Sequence, residues 1–244
     1  MQTATQILQK YWNHNTFRSL QNEIIDSFLS GNDTFALMPT GGGKSICFQV
    51  PALMNEGICL VISPLVALMK DQVANLQNRG IKAIALTGGI KSDEIIDLLD
   101  NCQFGNYKFL YVSPERLQSD WILDRIKNLP INLITIDEAH CVSQWGHDFR
   151  PEYSQLSVLH ERFPRVPRIA LTATADMDTR QEIIERLGLE VARVFVSSFD
   201  RPNIRYQIID KTNSRAQLLD FIQAEHRNDA GIVYCLSRKK VEET

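Results

Sequence analysis

Lys44 and Ser45 follow three consecutive glycines, and Asp137 and Glu138 follow an apolar run; these four side chains have the types and spacing to do chemistry. The loop Pro39-Thr40-Gly41-Gly42-Gly43 can take positive φ angles and bring its N–H groups against phosphate oxygens, because glycine has no Cβ in the way. A helix beginning at Lys44 would add unpaired N–H groups and the positive end of its dipole. Lys44 can then reach β- and γ-phosphates, and the Ser45 hydroxyl can hold Mg²⁺. The strict pattern G-x-x-x-x-G-K-[ST] is not met, since Met38 stands where the first glycine belongs. For this stretch alone, a glycine-rich turn before an ordinary helix stays open.

Asp137 and Glu138 terminate Ile131 to Ile136, a run so apolar that charge there means either a surface turn or a magnesium site. Neighbouring residues at a strand's end point in different directions, so the two carboxylates can divide the work. Asp137 would hold Mg²⁺ through water, because that ion keeps several of its waters. Glu138 would orient and deprotonate an attacking water. With Lys44 and Ser45, the doublet makes a nucleoside triphosphatase site.

These residues need a scaffold that brings strand ends together. Apolar runs of strand type cover Thr34 to Met38, Ile58 to Ser63, Lys82 to Leu86, Phe109 to Val112, Ile131 to Ile136 and Arg168 to Ala173. Helical patterns run from Lys44 onward and over 65–78, 91–102, 119–128, 153–163 and 176–187, with two more at 3–13 and 19–30, the latter capped near Ser19. Continuous apolar strands alternating with helices predict an α/β fold with a mostly parallel sheet covered on both faces. Ligands in such folds sit beyond the carboxyl ends of the strands. Those ends carry Gly41 to Ser45, Ser63-Pro64, Ser113-Pro114, Asp137-Glu138 and Thr172 to Thr174.

From about Ser197 a Pro-Asn break leads to a second unit, read as a strand at 204–209, a helix at 215–223, a strand at 231–235 and a helix from Arg238. The expected division is 1–200 and 201–244. The second piece is too small to bury an adequate core alone. No internal repeat or low-complexity tract interrupts the chain.

The 244 residues have 44% hydrophobic and 23% charged content, as in ordinary globular proteins, and a net charge of −3 that advertises no global nucleic-acid field. Five cysteines at 47, 59, 102, 141 and 235 include no C-x-x-C pair and no zinc-ligand spacing. A reducing compartment, no disulfides and no zinc are expected. The N-terminus shows no signal-peptide core, and no run approaches a membrane span. A cytoplasmic protein that meets no membrane is the expectation.

Six stretches together resemble the RecQ family of superfamily 2 DNA helicases: MPTGGGKS (38–45), SPLVALMKDQV (63–73), YVSPERL (111–117), DEAHCVSQWGHDFRPEY (137–153), LTATA (171–175) and SSFDRPNIRY (197–206). The resemblance runs from the N-terminal helices to the last residue, and helicases of this superfamily carry the loop variant seen here. It implies two RecA-like lobes with ATP between them, in a motor that unwinds DNA in the 3′ to 5′ direction during repair and recombination. It also implies single-stranded and partly duplex DNA as partner, a monomer, and a location in bacterial cytosol or nucleoid.

On the same resemblance, Phe17, Arg18 and Gln21 form the adenine-side motif, with Gln21 reading the base edge. His14 occupies the place of a ring that commonly stacks on adenine. Without the resemblance, Gln21 would be read as solvated helix surface.

Trp145, Phe149 and Tyr153, interleaved with Gln144, His147 and Arg150, suit single-stranded nucleic acid, where stacking contributes about 1–3 kcal/mol per base. The resemblance gives this loop the task of telling the ATP site that DNA is bound; the alternative is that the aromatics pack the loop. Lys70, Arg116, Ser63-Pro64 and Ser113-Pro114 are similar to the family's backbone-holding motifs. His140 is either structural or functional. The family's later motifs, including an arginine that completes the ATP site, are not in these 244 residues. Nucleotide binding with poor hydrolysis and no unwinding is therefore expected of them. An RNA helicase of the DEAD/DEAH sort and a non-enzymatic nucleic-acid-binding module are the competing readings.

Overall fold

The inner strands of the central sheet read as apolar runs because both of their faces are covered. The computed structural model describes residues 2–144, 148–198 and 204–243. It divides into two units, Met1–Phe199 and Asp200–Thr244. The first begins with α1 (Ala4–Trp12), α2 (Gln21–Leu29), β1 (Thr34–Leu37), α3 (Lys44–Met54), β2 (Ile58–Ile62) and α4 (Val66–Gln77). It continues through β3 (Ala83–Leu86), α5 (Ser92–Phe104), β4 (Phe109–Val112), α6 (Asp120–Lys127) and β5 (Ile131–Ile136). It closes with α7 (Val158–Arg162), β6 (Arg168–Thr172), α8 (Met177–Arg186) and β7 (Arg193–Val196).

All seven strands pair in parallel in the order β3-β4-β2-β5-β6-β1-β7. Side-chain alternation splits the core in two, as period-two geometry requires. Phe35, Leu37, Leu60, Ile62 and Ile136 pack with α5, α6, α7 and α8. Ala36, Met38, Cys59, Val61 and Tyr111 pack with α2, α3 and α4. α1 lies outside this layer, where Ile7 and Leu8 pack with Ile25 and Val50.

Register aligns the functional ends. Leu37 is paired with Thr172 and Val196, and Ile62 with Ile136. The ladder runs one step further: Met38 N–H donates to Thr172 O (3.0 Å) and Asp137 N–H to Ile62 O (2.9 Å). Only β6 stands between β1 and β5, so the glycine loop and the acidic doublet leave the same edge.

Several sequence expectations need correction. The helix expected over 153–163 is a 3-10 turn, Pro151–Gln155, followed by the short α7, because Tyr153 turns inward to the sheet edge. α2 is capped by Leu20 in a left-handed conformation, φ 66°, rather than by Ser19. β7 was not legible as a strand: Arg193, Val194 and Val196 stay exposed on this sheet edge, so no buried apolar run marks it.

The second unit contains α9 (Ser214–Glu225) and α10 (Arg238–Glu243). The strands expected at 204–209 and 231–235 do not form among its described residues. Parallel strands are stable when both faces are covered, and here Ile208, Ile232, Tyr234 and Leu236 remain largely exposed.

Candidate nucleotide site

The turn after β1 has the backbone that its glycines permit. Gly41 and Gly43 take φ of 78° and 80°, and Gly42 N–H closes the turn onto Pro39 O at 2.9 Å. A Cβ on Gly42 would come within 2.9 Å of that carbonyl, and one on Gly43 would run into Gln21 Nε2. Gly43 caps α3 without a side chain, so no side chain consumes the first N–H groups of the helix. Lys44 and Ser45 follow on that first turn.

Asp137 is 6% exposed, and its Oδ1 accepts the N–H of Glu138 at 3.0 Å. Burial first, and then the Glu138 charge, push its pKa up to about 6; that N–H and the Lys44 ammonium pull the other way. Lys44 and Asp137 are thus electrostatic neighbours. A buried carboxylate held at such an energetic disadvantage suits a cation. Among the described residues no group of three or more His, Cys, Asp or Glu could hold a metal alone. The Ser45 hydroxyl and the Asp137 carboxylate are oxygen donors of the kind that Mg²⁺ takes alongside water and phosphate.

Glu138 takes a left-handed backbone conformation, φ 50°, uncommon for a residue with a side chain. Its Oε2 lies 3.3 Å from His140 Nδ1, which also lies 2.9 Å from Thr172 Oγ1. Thr172 Oγ1 accepts the Thr174 N–H at 3.2 Å. His140 therefore joins the doublet to the end of β6.

Residues from the N-terminal helices meet the glycine loop. His14, Phe17, Arg18, Gln21, Gly43 and Ile46 line one cavity of about 570 Å³, together with Trp12, which the sequence reading did not single out. Gln21 is buried, not solvated surface. Its Oε1 accepts Arg18 N–H (2.9 Å), while Nε2 donates to the carbonyls of Gly42 (3.3 Å) and Gly43 (3.1 Å). Arg18 donates to Gly41 O at 2.5 Å. Both side chains grip the loop itself, an arrangement that helical spacing alone does not reveal. Thr40 lies in the same turn and is exposed.

Of the aromatic-rich segment, Trp145, Gly146 and His147 lie outside the described residues. Tyr153 does not offer a free ring: it is fully buried, and its hydroxyl donates to Asp137 O at 2.8 Å. Phe149 is half-buried, Gln144 is exposed, and Arg150 pairs with Glu115 at 3.3 Å. Arg150 N–H closes the stem onto Cys141 O. On the other side, Glu182 of α8 accepts the Ser143 hydroxyl (2.5 Å) and the Gln144 N–H (3.3 Å). Lys70 is exposed, whereas Arg116 is half-buried and donates through Nε and Nη2 to the carbonyls of Thr87 and Ile90. Ser63 Oγ is buried without a partner.

A parallel sheet with a glycine phosphate loop and an acidic doublet at one edge defines an α/β, RecA-like lobe of the helicase-core class. Solved helicases share the fold: the Pyrococcus furiosus Hef helicase domain (TM-score 0.57, 21% identity, 76% of this chain and 39% of that one) and the DUF1998 helicase MrfA (TM-score 0.70, 17% identity, 98% and 39%). The DEAD/DEAH box helicase family model matches residues 18–183, and the chain belongs to that family. It is 46% identical over 241 residues to the ATP-dependent DNA helicase RecQ of Pasteurella multocida, covering 99% of this chain and 38% of that protein. It is 43% identical to the probable ATP-dependent DNA helicase RecS of Bacillus subtilis, covering 100% and 49%. The chain thus spans less than half the length of these curated relatives.

Proposed function

We propose that the chain is the ATP-binding part of a RecQ-type DNA helicase, which couples ATP hydrolysis to 3′ to 5′ movement on single-stranded DNA and to duplex unwinding in repair and recombination. The observation that carries this reading is the register that ends β1 and β5 on one edge with only β6 between them, so that the glycine loop and the acidic doublet leave the sheet together. Similarity to RecQ proteins over nearly all of the chain supports the choice of DNA.

In this reading the N–H groups of the glycine loop and of α3 cradle the phosphates, and Lys44 neutralises charge on the β- and γ-oxygens. Ser45 and Asp137 would hold Mg²⁺, which would supply positive charge against the phosphates. Glu138 orients the attacking water and takes its proton. The cavity lined by His14, Phe17, Arg18 and Gln21 takes the adenine; Gln21 reads the base edge once its amide leaves the Gly42 and Gly43 carbonyls. Gln144, Trp145, His147, Phe149 and Arg150 sense DNA, Arg150 exchanging Glu115 for a phosphate. The working form is a monomer in the cytoplasm, and five cysteines without a C-x-x-C pair suit a reducing compartment. The 244 residues alone bind nucleotide, turn it over slowly and leave duplex DNA intact.

The test is nucleotide binding by this chain, and ATP turnover with single-stranded DNA, with RNA and with neither, beside Lys44→Ala. DNA-selective stimulation that vanishes in the variant is expected. Preference for RNA would select the DEAD/DEAH RNA-helicase reading, and binding of nucleic acid without nucleotide would select a non-enzymatic module.

A further inference from the structure

We propose that Gln72 on α4 is a positioning residue for the Ser45 hydroxyl, and that through it the site sets its affinity for metal-bound nucleotide. This rests on the reading of Ser45 as a cation ligand. Gln72 Nε2 donates to Ser45 Oγ at 3.2 Å. The other end of the same amide is held twice: Oε1 accepts Gln49 Nε2 at 3.0 Å and the Tyr111 hydroxyl at 3.2 Å. Gln49 and Tyr111 are buried, 5% and 1% exposed.

The amide cannot turn over without loss. An oxygen facing Ser45 would set the NH₂ group against the Gln49 amide nitrogen, leaving Gln49 only its longer contact to the Tyr111 hydroxyl (3.5 Å), and would take the acceptor away from that hydroxyl's proton. The orientation therefore follows from the network. It matters to Ser45 because a serine hydroxyl has two lone pairs and one proton. With Gln72 on one lone pair, the second is left for a cation and the proton for a carboxylate. A freely rotating hydroxyl would have to be ordered each time a cation arrived.

Three elements supply the network. Gln49 lies four residues after Ser45, on the same face of α3. Gln72 projects from α4, and Tyr111 stands on β4 with its ring in the core. None of the three is a phosphate or cation ligand in the proposed site. Their effect on the cation must pass through Ser45.

The experiment compares Gln72→Met and Tyr111→Phe with the unaltered chain, measuring ADP affinity by calorimetry in EDTA and across a Mg²⁺ titration, with thermal unfolding as the check on folding. Removing a group that orients a metal ligand typically weakens metal affinity by about tenfold or more. The Mg²⁺-dependent gain in ADP affinity should therefore fall about tenfold in Gln72→Met, and by a smaller factor in Tyr111→Phe, which keeps the amide but frees it to turn. ADP affinity in EDTA should stay within about twofold, since a lost neutral hydrogen bond elsewhere would act equally with and without metal. If Gln72→Met does not fold, Tyr111→Phe decides by the same measure. An unchanged Mg²⁺-dependent gain, or equal losses in EDTA and Mg²⁺, would overturn the proposal. An unaltered chain that binds no ADP in either buffer would overturn the nucleotide-site reading itself, a pattern distinct from failure of Gln72 alone.

Discussion

The Tyr153 hydroxyl donates to the carbonyl oxygen of Asp137 at 2.8 Å, so the chain that leaves β5 at the acidic doublet returns sixteen residues later to brace it. The bond is fully buried and ties the end of the aromatic-rich segment to the backbone of the proposed metal carboxylate. Tyr153→Phe removes the donor and keeps the ring. Leaving a buried carbonyl unsatisfied costs about 1–3 kcal/mol. The denaturant midpoint should fall accordingly, and Mg²⁺-dependent nucleotide affinity should weaken with it.

Asp137 makes stability depend on pH in a defined direction. Its folded pKa, about 6, lies above the ordinary carboxyl value of 3.8, so the folded state binds its proton more tightly than the unfolded state. In metal-free buffer the contribution is most favourable below about pH 4 and declines as pH rises through 6. At roughly 1.4 kcal/mol per pKa unit, the buried charge costs on the order of 3 kcal/mol above pH 7. Asp137→Asn should therefore raise the urea midpoint at pH 7.5 more than at pH 5, while abolishing ATP turnover. Equal shifts at both pH values would refute this account.

Glu182 is expected to set the strength of DNA signalling. Burial alone would raise its pKa, but the Ser143 hydroxyl, the Gln144 N–H and Arg186 outweigh it and hold the carboxyl below the usual range. Glu182→Ala removes the acceptor shared by the Ser143 hydroxyl and the Gln144 N–H. The ratio of DNA-stimulated to unstimulated ATP turnover should drop severalfold, a reading that kinetic assays at saturating ATP supply.

Asp33 and Arg168 form a buried clasp at the opposite end of the strands. Arg168 is 1% exposed, pairs with Asp33 Oδ2 and also donates to the carbonyls of Leu187 and Gly188. Asp33→Ala would strand a buried guanidinium and should destabilise the chain by about 3–5 kcal/mol. Thermal unfolding would measure the loss; replacing both residues by apolar ones should recover much of it.

Gly43→Ala tests the loop. Its φ of 80° and the nearness of Gln21 leave no room for a methyl group. Nucleotide binding should be lost with only a modest change in melting temperature, because the strain is local to a half-exposed turn.

The chain's local patterns were enough to place the glycine loop, the acidic doublet and the strands Phe109–Val112 and Ile131–Ile136, because apolar runs and glycine clusters are written in neighbouring residues. β7 escaped that reading since an edge strand hides little apolar surface. The strands expected in the second unit did not form, because apolar sequence becomes sheet only where neighbours cover it. Tyr153 reads in sequence either as a stacking ring or as packing for its loop, and Arg116 as a backbone-holding residue; tertiary packing buries the ring and sets the guanidinium against the carbonyls of Thr87 and Ile90.

Residue order alone determines that Lys44 sits on the first turn of a helix after three glycines and that two carboxylates end an apolar strand, since both follow from spacing along a few residues. That these ends lie one strand apart, that Gln21 holds the loop and that Gln72 holds Ser45 are decided by folding. Such contacts join residues far apart in the chain, and they exist only once the strand order of the sheet has been chosen.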